Sequence, residues 1–433
     1  MEAEIKNRIE QIRQGKVPAE YQKTPAGILP KSWKVTSLCN VLKKKNAKNK
    51  GRKYDRILTN SATKGIVPQT DYFDKQIAND ENTEGYYVVE KGDFVYNPRI
   101  SVSAPCGPFN KYYENETGIM SPLYSVYQFV DENVHYSEFL AQYFLSAYWY
   151  RYMNGIANYG ARSDRMNVTQ DMMDLMPLPY PPESEYKKIV RILLNQDRVI
   201  ALREKLLAEK LRQKQYLMQV LLTGKKRLPG FTGKWNYVQM KTLGTTYSGL
   251  SGKNKEDFGK GRPYIPYINI YSNAVIDTNN FDYVSIAENE KQNSVKYGDI
   301  FFTTSSETPD EVGMSSVLLE KVDNLYLNSF CFGFRLHNFL TLLPQYAVYY
   351  FRGGNFRRIL DSLAQGSTRF NLSKNNLLKA MLLLPPIKEQ KAIVEILRTI
   401  DQEINLLKQE LEQERRKKKA LMQLLLSGIV RVQ

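Results

Sequence analysis

Two short stretches of this sequence carry side chains suited to hydrogen-bonding a planar base edge. Gly160-Ala161-Arg162-Ser163-Asp164-Arg165-Met166-Asn167 is one, and Gly366-Ser367-Thr368-Arg369-Phe370-Asn371 is the other. Arginine presents a rigid fork that matches guanine, and an asparagine amide matches adenine. Arg162, Arg165, Asn167, Arg369 and Asn371 are therefore candidates for direct readout, each set following a flexible glycine. A second kind of chemistry is phosphate neutralisation, which supplies affinity without sequence preference. From Lys43 to Arg56 the chain is dense in Lys and Arg with a single Asp, and Lys253, Lys255, Lys260 and Arg262 cluster among glycines. Lys44, Lys45, Arg52, Lys53, Lys253, Lys255 and Lys260 are the phosphate candidates, and Asn97, Arg99, Asn269 and Thr303 complete the set.

Catalysis finds less support. A base methyltransferase needs an Asn/Asp-Pro-Pro-aromatic motif to hold an extruded base, and the nearest strings, Asn97-Pro98-Arg99 and Tyr180-Pro181-Pro182-Glu183, lack that pattern. Gly249-Leu250-Ser251-Gly252-Lys253 is too short to be a nucleotide-binding lysine loop. His135 and His337 are isolated, and Cys39, Cys106 and Cys331 form no Cys-x-x-Cys pair, so neither a metal site nor a disulfide framework is expected. Asp299 and Glu307 lie near each other in sequence, so spacing alone leaves the carboxylates of a metal-dependent nuclease as an open reading. The expectation is a chain with no catalytic residues and no cofactor of its own.

Composition agrees. With 61 Lys and Arg against 45 Asp and Glu, the 433 residues carry a net charge of +16, which points to a polyanionic partner. An apolar fraction of 42% and 30 tyrosines are those of a globular chain of two or three domains. Unpaired cysteines, a charged Met1–Lys16 segment and apolar runs too short for a bilayer, such as Phe139–Tyr150, predict a cytoplasmic protein without membrane contact.

The elements that must position these groups come in duplicate. Pro181–Arg227 aligns with Pro385–Arg431 at an offset of 204 without a gap, with 21 of 47 positions identical; chance gives roughly one in fifteen. Val89-Glu90-Lys91-Gly92-Asp93-Phe94 answers Val295-Lys296-Tyr297-Gly298-Asp299-Ile300, and Leu29-Pro30-Lys31-Ser32-Trp33 answers Phe231-Thr232-Gly233-Lys234-Trp235. In the second copy Ile393, Leu397, Ile400, Ile404, Leu407 and Leu411 advance by alternating fours and threes, the seam of a coiled coil. Gln196, Arg203, Lys210 and Lys214 interrupt the first seam, and Glu414 and Lys418 the second; such residues fix register or face another protein. Each helix follows a proline pair and stops near a glycine, Gly224 or Gly428. About 40 residues make a rod of roughly 60 Å, and pairing of the two rods requires them to run antiparallel.

Strands are predicted at Val88–Val89, Phe94–Tyr96, Tyr124–Phe129, Ile265–Ile270, Ile300–Phe302 and Phe330–Leu336, and helices at Ser137–Met153 and Leu343–Leu363. The modules are thus mixed α/β (α+β). The predicted organisation is a helical arm at 1–25, a module at 26–180, a spacer helix at 181–226, a second module at 227–384 and a spacer helix at 385–433.

In the order and duplication of these motifs the chain resembles the specificity subunit of Type I restriction–modification systems. The quoted blocks, Arg-Met-Asn and Arg-Phe-Asn before each helix, and the opening Leu384-Pro385-Pro386-Ile387-Lys388-Glu389-Gln390 carry the resemblance, while Tyr180-Pro181-Pro182-Glu183-Ser184-Glu185-Tyr186 departs at the Glu-Gln pair. The stretch from Ser248 to Ile268 also resembles one common type of target recognition domain. The resemblance implies two target recognition domains separated by two long antiparallel coiled-coil helices with a pseudo-twofold repeat. Each domain would read one half of a split, asymmetric double-stranded DNA site. It further implies two methyltransferase subunits, to which Gln196, Arg203, Lys210, Lys214, Glu414 and Lys418 would bind. Those subunits would use S-adenosylmethionine to methylate adenine at N6, joined in some systems by a motor and nuclease restriction subunit. Two alternatives stand beside this reading: the specificity subunit of a related Type II-like methyltransferase and nuclease complex, and a coiled-coil scaffold that does not touch DNA.

Overall fold

The computed structural model describes residues 2–72, 83–131, 133–156, 164–308, 311–363, 366 and 369–432. The chain divides into two units, one made of Met1–Arg203 with Glu410–Gln433 and the other of Glu204–Gln409.

In the first unit a four-stranded antiparallel sheet is ordered Leu42–Lys44, Ser125–Phe129, Phe94–Tyr96, Phe109–Lys111. Helix Val134–Phe144 buries Tyr136, Phe139, Leu140 and Phe144 in a core shared with Trp33, Trp149 and the first turns of the long helix. The second unit repeats the plan: Gly244–Ser248, Cys331–Leu336, Ile300–Thr303, Ser315–Val317, again antiparallel. Helix Pro344–Tyr350 follows, packed through Tyr346, Ala347 and Tyr350. Beside each sheet a two-stranded pair, Lys34–Ser37 with Pro177–Tyr180 and Asn236–Gln239 with Met381–Leu384, carries the chain from the tryptophan into the module and from the module into the long helix.

The two units differ outside this shared scaffold. The first adds the pairs Leu58–Ser61 with Gly65–Pro68 and Tyr87–Val89 with Gly118–Met120. The second adds a ribbon of Phe258–Ile265 against Asp282–Val284, braced in parallel by Tyr326–Leu327.

The long helices run over Glu183–Leu221 and Ile387–Leu425, and Gly224 and Gly428 follow at φ of 69° and 67°, the left-handed conformation that ends a helix without side-chain strain. Their seam is apolar at the ends: Ile189, Leu193, Ile393, Leu397, Ile400 and Ile404 are buried. In the first unit Gln196 and Asp197 meet Glu414 and Lys418; in the second Lys210 meets Glu403 and Lys214 meets Asp401. From Asp197–Lys418 to Arg203–Glu410 in the first unit, and from Lys210–Glu403 to Lys214–Asp401 in the second, one index rises as the other falls, so the segments run antiparallel within each unit. No helix among the described residues is long and apolar enough to cross a membrane.

Three predicted elements are corrected. Ile265–Ile270 is not a strand: the strand ends at Ile265 and Tyr267–Ser272 is a helix, because Pro266 lacks the N–H a ladder needs and takes the N-cap instead. Ser137–Met153 is two helices, Val134–Phe144 and Tyr150–Ile156. Leu343–Leu363 divides into Pro344–Tyr350 and Gly354–Leu363. The break falls at Phe351-Arg352-Gly353, where the Arg352 guanidinium donates to the carbonyls of Ser315, Ile270, Tyr271 and Asn273.

Candidate nucleic-acid interface

The motifs shared by both halves prove to be joints. In the first unit Glu185 is 4% exposed; it accepts from Trp33 Nε1 at 2.9 Å and from Arg431 Nε and Nη2 at 2.6 and 2.8 Å. In the second, Glu389 is 1% exposed and accepts from Trp235 Nε1 at 3.0 Å and from Arg227 Nε and Nη2 at 2.6 and 2.7 Å. Each clasp ties the first turn of one long helix to the tail following the other and to the tryptophan that opens the module. The hydrogen bonds to Glu185 raise the Arg431 pKa further above its ordinary value, so the guanidinium stays charged. Sequence reasoning singled out these residues only as matched positions; identical Trp, Glu and Arg at equivalent places were the signal that could have revealed the clasp.

The Gly-Asp blocks are turns. Asp93 accepts from Glu90 N and from Lys45 Nζ, at 2.8 and 2.7 Å, and Asp299 accepts from Lys296 N at 2.8 Å and from both Arg335 nitrogens, at 2.9 and 2.6 Å. Gly92 and Gly298 sit at φ of 94° and 84°, which the turn requires. Burial raises the Asp93 carboxyl against the opposing pull of Lys45.

The readout candidates lie on a second duplicated feature. In the first unit the backbone at Arg99 bridges that at Arg165, with Met166 N donating to Pro98 O and Ile100 N to Asp164 O, both at 3.0 Å. Buried Met166 anchors the loop and leaves Asn167 and Arg99 exposed and Arg165 half-buried, with Asp164 at 3.7 Å from Arg99 Nε. In the second unit Ser305–Ser306 pairs with Phe370–Asn371, and Leu372 N donates to Thr304 O at 2.8 Å. Arg369 and Asn371 are exposed there. Arg162 lies outside the described residues. Beside the first pair opens a cavity of about 350 Å³ lined by Thr59, Ser61, Asn97, Arg99, Ser101 and Tyr124, a hydroxyl- and amide-rich concavity matched to polar base edges. Asn97 itself is braced, donating to Asn60 O at 3.2 Å and accepting from Arg99 N at 3.0 Å.

Of the phosphate candidates, Lys44, Arg52 and Lys53 are exposed. Arg52 and Lys53 lie within a loop closed by Asn49, which is 1% exposed, donates to Tyr54 O and accepts from Tyr54 N. Lys255 and Lys260 are exposed in the second unit.

Four further candidates are already engaged within the fold. Lys45 is spent on Glu90 and Asp93, and Lys253, whose side chain is 8% exposed, is spent on Ser285 O and Glu290. Asn269 is 1% exposed and bonds Asp277 O and Asn280 O, while Thr303 is fully buried and accepts from Met314 N. Removing a buried, satisfied polar group from these partners to reach DNA would cost more than one contact returns. The six seam residues engage one another or the facing helix: Gln196 with Glu414, Arg203 with Glu410 and Glu414, Lys210 with Glu403, Lys214 with Asp401, and Lys418 with Asp197. Among the described residues no cluster of His, Cys, Asp and Glu could hold a metal ion.

Comparison with known proteins gives a consistent picture. The family described as "Type I restriction modification DNA specificity domain" matches residues 30–210 and again 233–414. The MjaX type I restriction enzyme specificity subunit of Methanocaldococcus jannaschii, itself so named by inference, is 24% identical over 445 residues, covering 95% of this chain and 97% of that one. The EcoKI specificity subunit of Escherichia coli K12 is 25% identical over 61% of this chain and 58% of its own. Among solved structures, a chain from a study of complex assembly and conformational transition in the type I R-M system superposes with a TM-score of 0.59 at 17% identity, covering 93% of this chain and 99% of that chain. The S subunit of the type I system of M. genitalium does so at 0.50 and 13% identity, covering 91% of this chain and 96% of its own.

Proposed function

The chain belongs to the Type I restriction–modification DNA specificity family, and from that premise we propose that it reads a bipartite, asymmetric site on double-stranded DNA, one half with each module, and delivers adenine-N6 methyltransferase subunits to it. It is a recognition subunit and not itself the enzyme. One observation carries the asymmetry: the two modules share a four-stranded scaffold but mount different additions on it, a polar cleft in one and a basic ribbon in the other. Different additions present different donors and acceptors, so the half-sites differ in sequence.

Two methyltransferase subunits fit the duplication, since equivalent surfaces bind equivalent partners. The long helices support this: Leu202 is 68% exposed and Leu406 59%, apolar side chains on helices whose ionic seam is already satisfied. S-adenosylmethionine would be bound by those partners and no cofactor by this chain. Motor and nuclease subunits, in a restricting assembly, would join the same complex. Acting on host DNA, the assembly works in the cytoplasm.

The test is reconstitution. The purified chain mixed with its methyltransferase subunit should place N6-methyladenine at one split sequence on a random-sequence plasmid, and the chain alone should place none. Methylation by the chain alone, or methylation without a split consensus, overturns the reading.

A further inference from the structure

The ribbon of the second unit contains a device that the DNA reading alone does not require. Phe258 and Arg262 both register against Val284, so Gly259, Lys260 and Gly261 bulge out of an otherwise paired strand. The two glycines sit at φ of 97° and 105°, and a side chain on Gly261 would put its Cβ 2.5 Å from Val284 O. Only glycine permits that backbone. The bulge therefore holds Lys260 at a tip, flanked by residues without side chains, and brings Arg262 back into the ladder beside it. Bulges of this kind re-aim side chains at sheet edges.

From Phe258 to Arg262 every residue is exposed, while Val284, which faces both ends of the bulge, is buried; further along the ladder Asp282 and Tyr283 are exposed opposite Tyr264 and Pro263. An isolated two-stranded ribbon is marginally stable in water, and this one is braced at its stem. Leu250, Tyr264 and Val284 form a small core beneath it. Lys253 Nζ joins Ser285 O and Glu290 at 2.6 and 2.5 Å, Ser285 N donates to Asp257 O at 2.7 Å, and Asn254 and Asp257 close a capping box. Among the described residues, neither Lys260 nor Arg262 has a side-chain hydrogen-bond or ion-pair partner. The base of the bulge is braced by these contacts while its two cations are left unspent.

Resting on the proposed DNA-recognition function, we propose that this ribbon enters the major groove of the half-site read by the second module, where Arg262 reads a guanine and Lys260 anchors an adjacent phosphate. A two-stranded ribbon fits the major groove, about 12 Å wide. Arg262 stands on the paired, rigid part of the strand, and its planar fork matches guanine O6 and N7. Lys260 stands between two glycines, where a point charge needs no directional geometry and the bare backbone can approach the sugar-phosphate chain closely.

The experiment uses the full chain reconstituted with its methyltransferase subunit, tested on the mapped site and on a library with every position of both half-sites varied. Arg262→Ala is expected to lose about ten-fold or more discrimination at one guanine of one half-site and to leave the other half-site unchanged. Replacing that guanine by 7-deazaguanine, which lacks the N7 acceptor, should weaken the wild type and leave the variant indifferent. Lys260→Ala should weaken binding evenly across sequences and lower the slope of log affinity against log salt by about 0.9. Arg262→Ala acting evenly on all sequences, acting on neither half-site, or acting on both overturns the assignment. These outcomes are separate from failure of the functional reading, which would appear as the absence of any split methylated site with the wild-type chain. Both side chains are exposed and unpartnered, and an unchanged thermal midpoint confirms that each variant folds.

Discussion

Glu185 and Glu389 illustrate how one residue can join distant parts of a chain. Each carboxylate, nearly closed to water, takes a bidentate guanidinium that is itself 31% exposed and an indole N–H. Removing one partner of a buried pair leaves the other charge uncompensated and costs about 3–5 kcal/mol. Glu389→Leu is therefore expected to lower the unfolding free energy by about 3 kcal/mol, seen as a fall in the denaturant midpoint at constant slope; a loss below about 1 kcal/mol would show that the clasp is not what holds Trp235. At the same scale, Arg165→Ala and Arg369→Ala separate base contact from phosphate contact. Each should relax one half-site by about ten-fold if its guanidinium reaches bases, whereas an even loss across sequences marks a phosphate contact. Residue types alone could not make that distinction. Lys253 and Lys260 are the same residue type, yet one is tied to Glu290 and the other is free, because the partner lies 37 residues away along the chain.

At the scale of elements, the helices were the most legible part. Alternating spacings of three and four over Ile393–Leu411, proline pairs before and glycines after, locate both rods, since amphipathic periodicity and helix stops are local properties. The seam's polar positions suit either register or a partner, and across the seam Lys214 pairs with Asp401 and Lys418 with Asp197. Surface ion pairs of this kind contribute at most about 1 kcal/mol. Reversing Lys214 to Asp should thus cost little in stability, with Asp401→Lys restoring it, as a double-mutant cycle on thermal midpoints can measure. The ribbon stem is expected to loosen in acid. Hydrogen bonds from Lys253, first, and Gln292 hold Glu290 down to about 2 from an ordinary 4.5. A depressed carboxylate contributes stability that is present above its ordinary value and lost as pH falls toward the depressed one. Protection of the ribbon amides, taken relative to intrinsic exchange at each pH, should fall between about pH 4.5 and 2 in the wild type, and a Glu290→Gln variant should lack that fall.

For the whole molecule, each long helix contributes residues to both compact units. Lengthening both helices by one turn, about 5.4 Å, is expected to widen the unread gap between half-sites by one or two base pairs at about 3.4 Å per pair, with both half-sites retained. Mapping methylated adenines checks this, and a changed half-site with an unchanged gap would contradict a spacer role. The sequence by itself determined the duplication, the order of module and helix, the basic balance and the rods, because composition, period and internal repetition are written along the chain. Tertiary structure alone decided which cations are spent, that Asn269 and Thr303 are interior, that the shared Trp, Glu and Arg close a clasp, and that a glycine-flanked bulge carries Lys260 outward. Those outcomes depend on contacts between residues tens to hundreds of positions apart, and on backbone angles set by neighbours across a ladder, neither of which local spacing encodes.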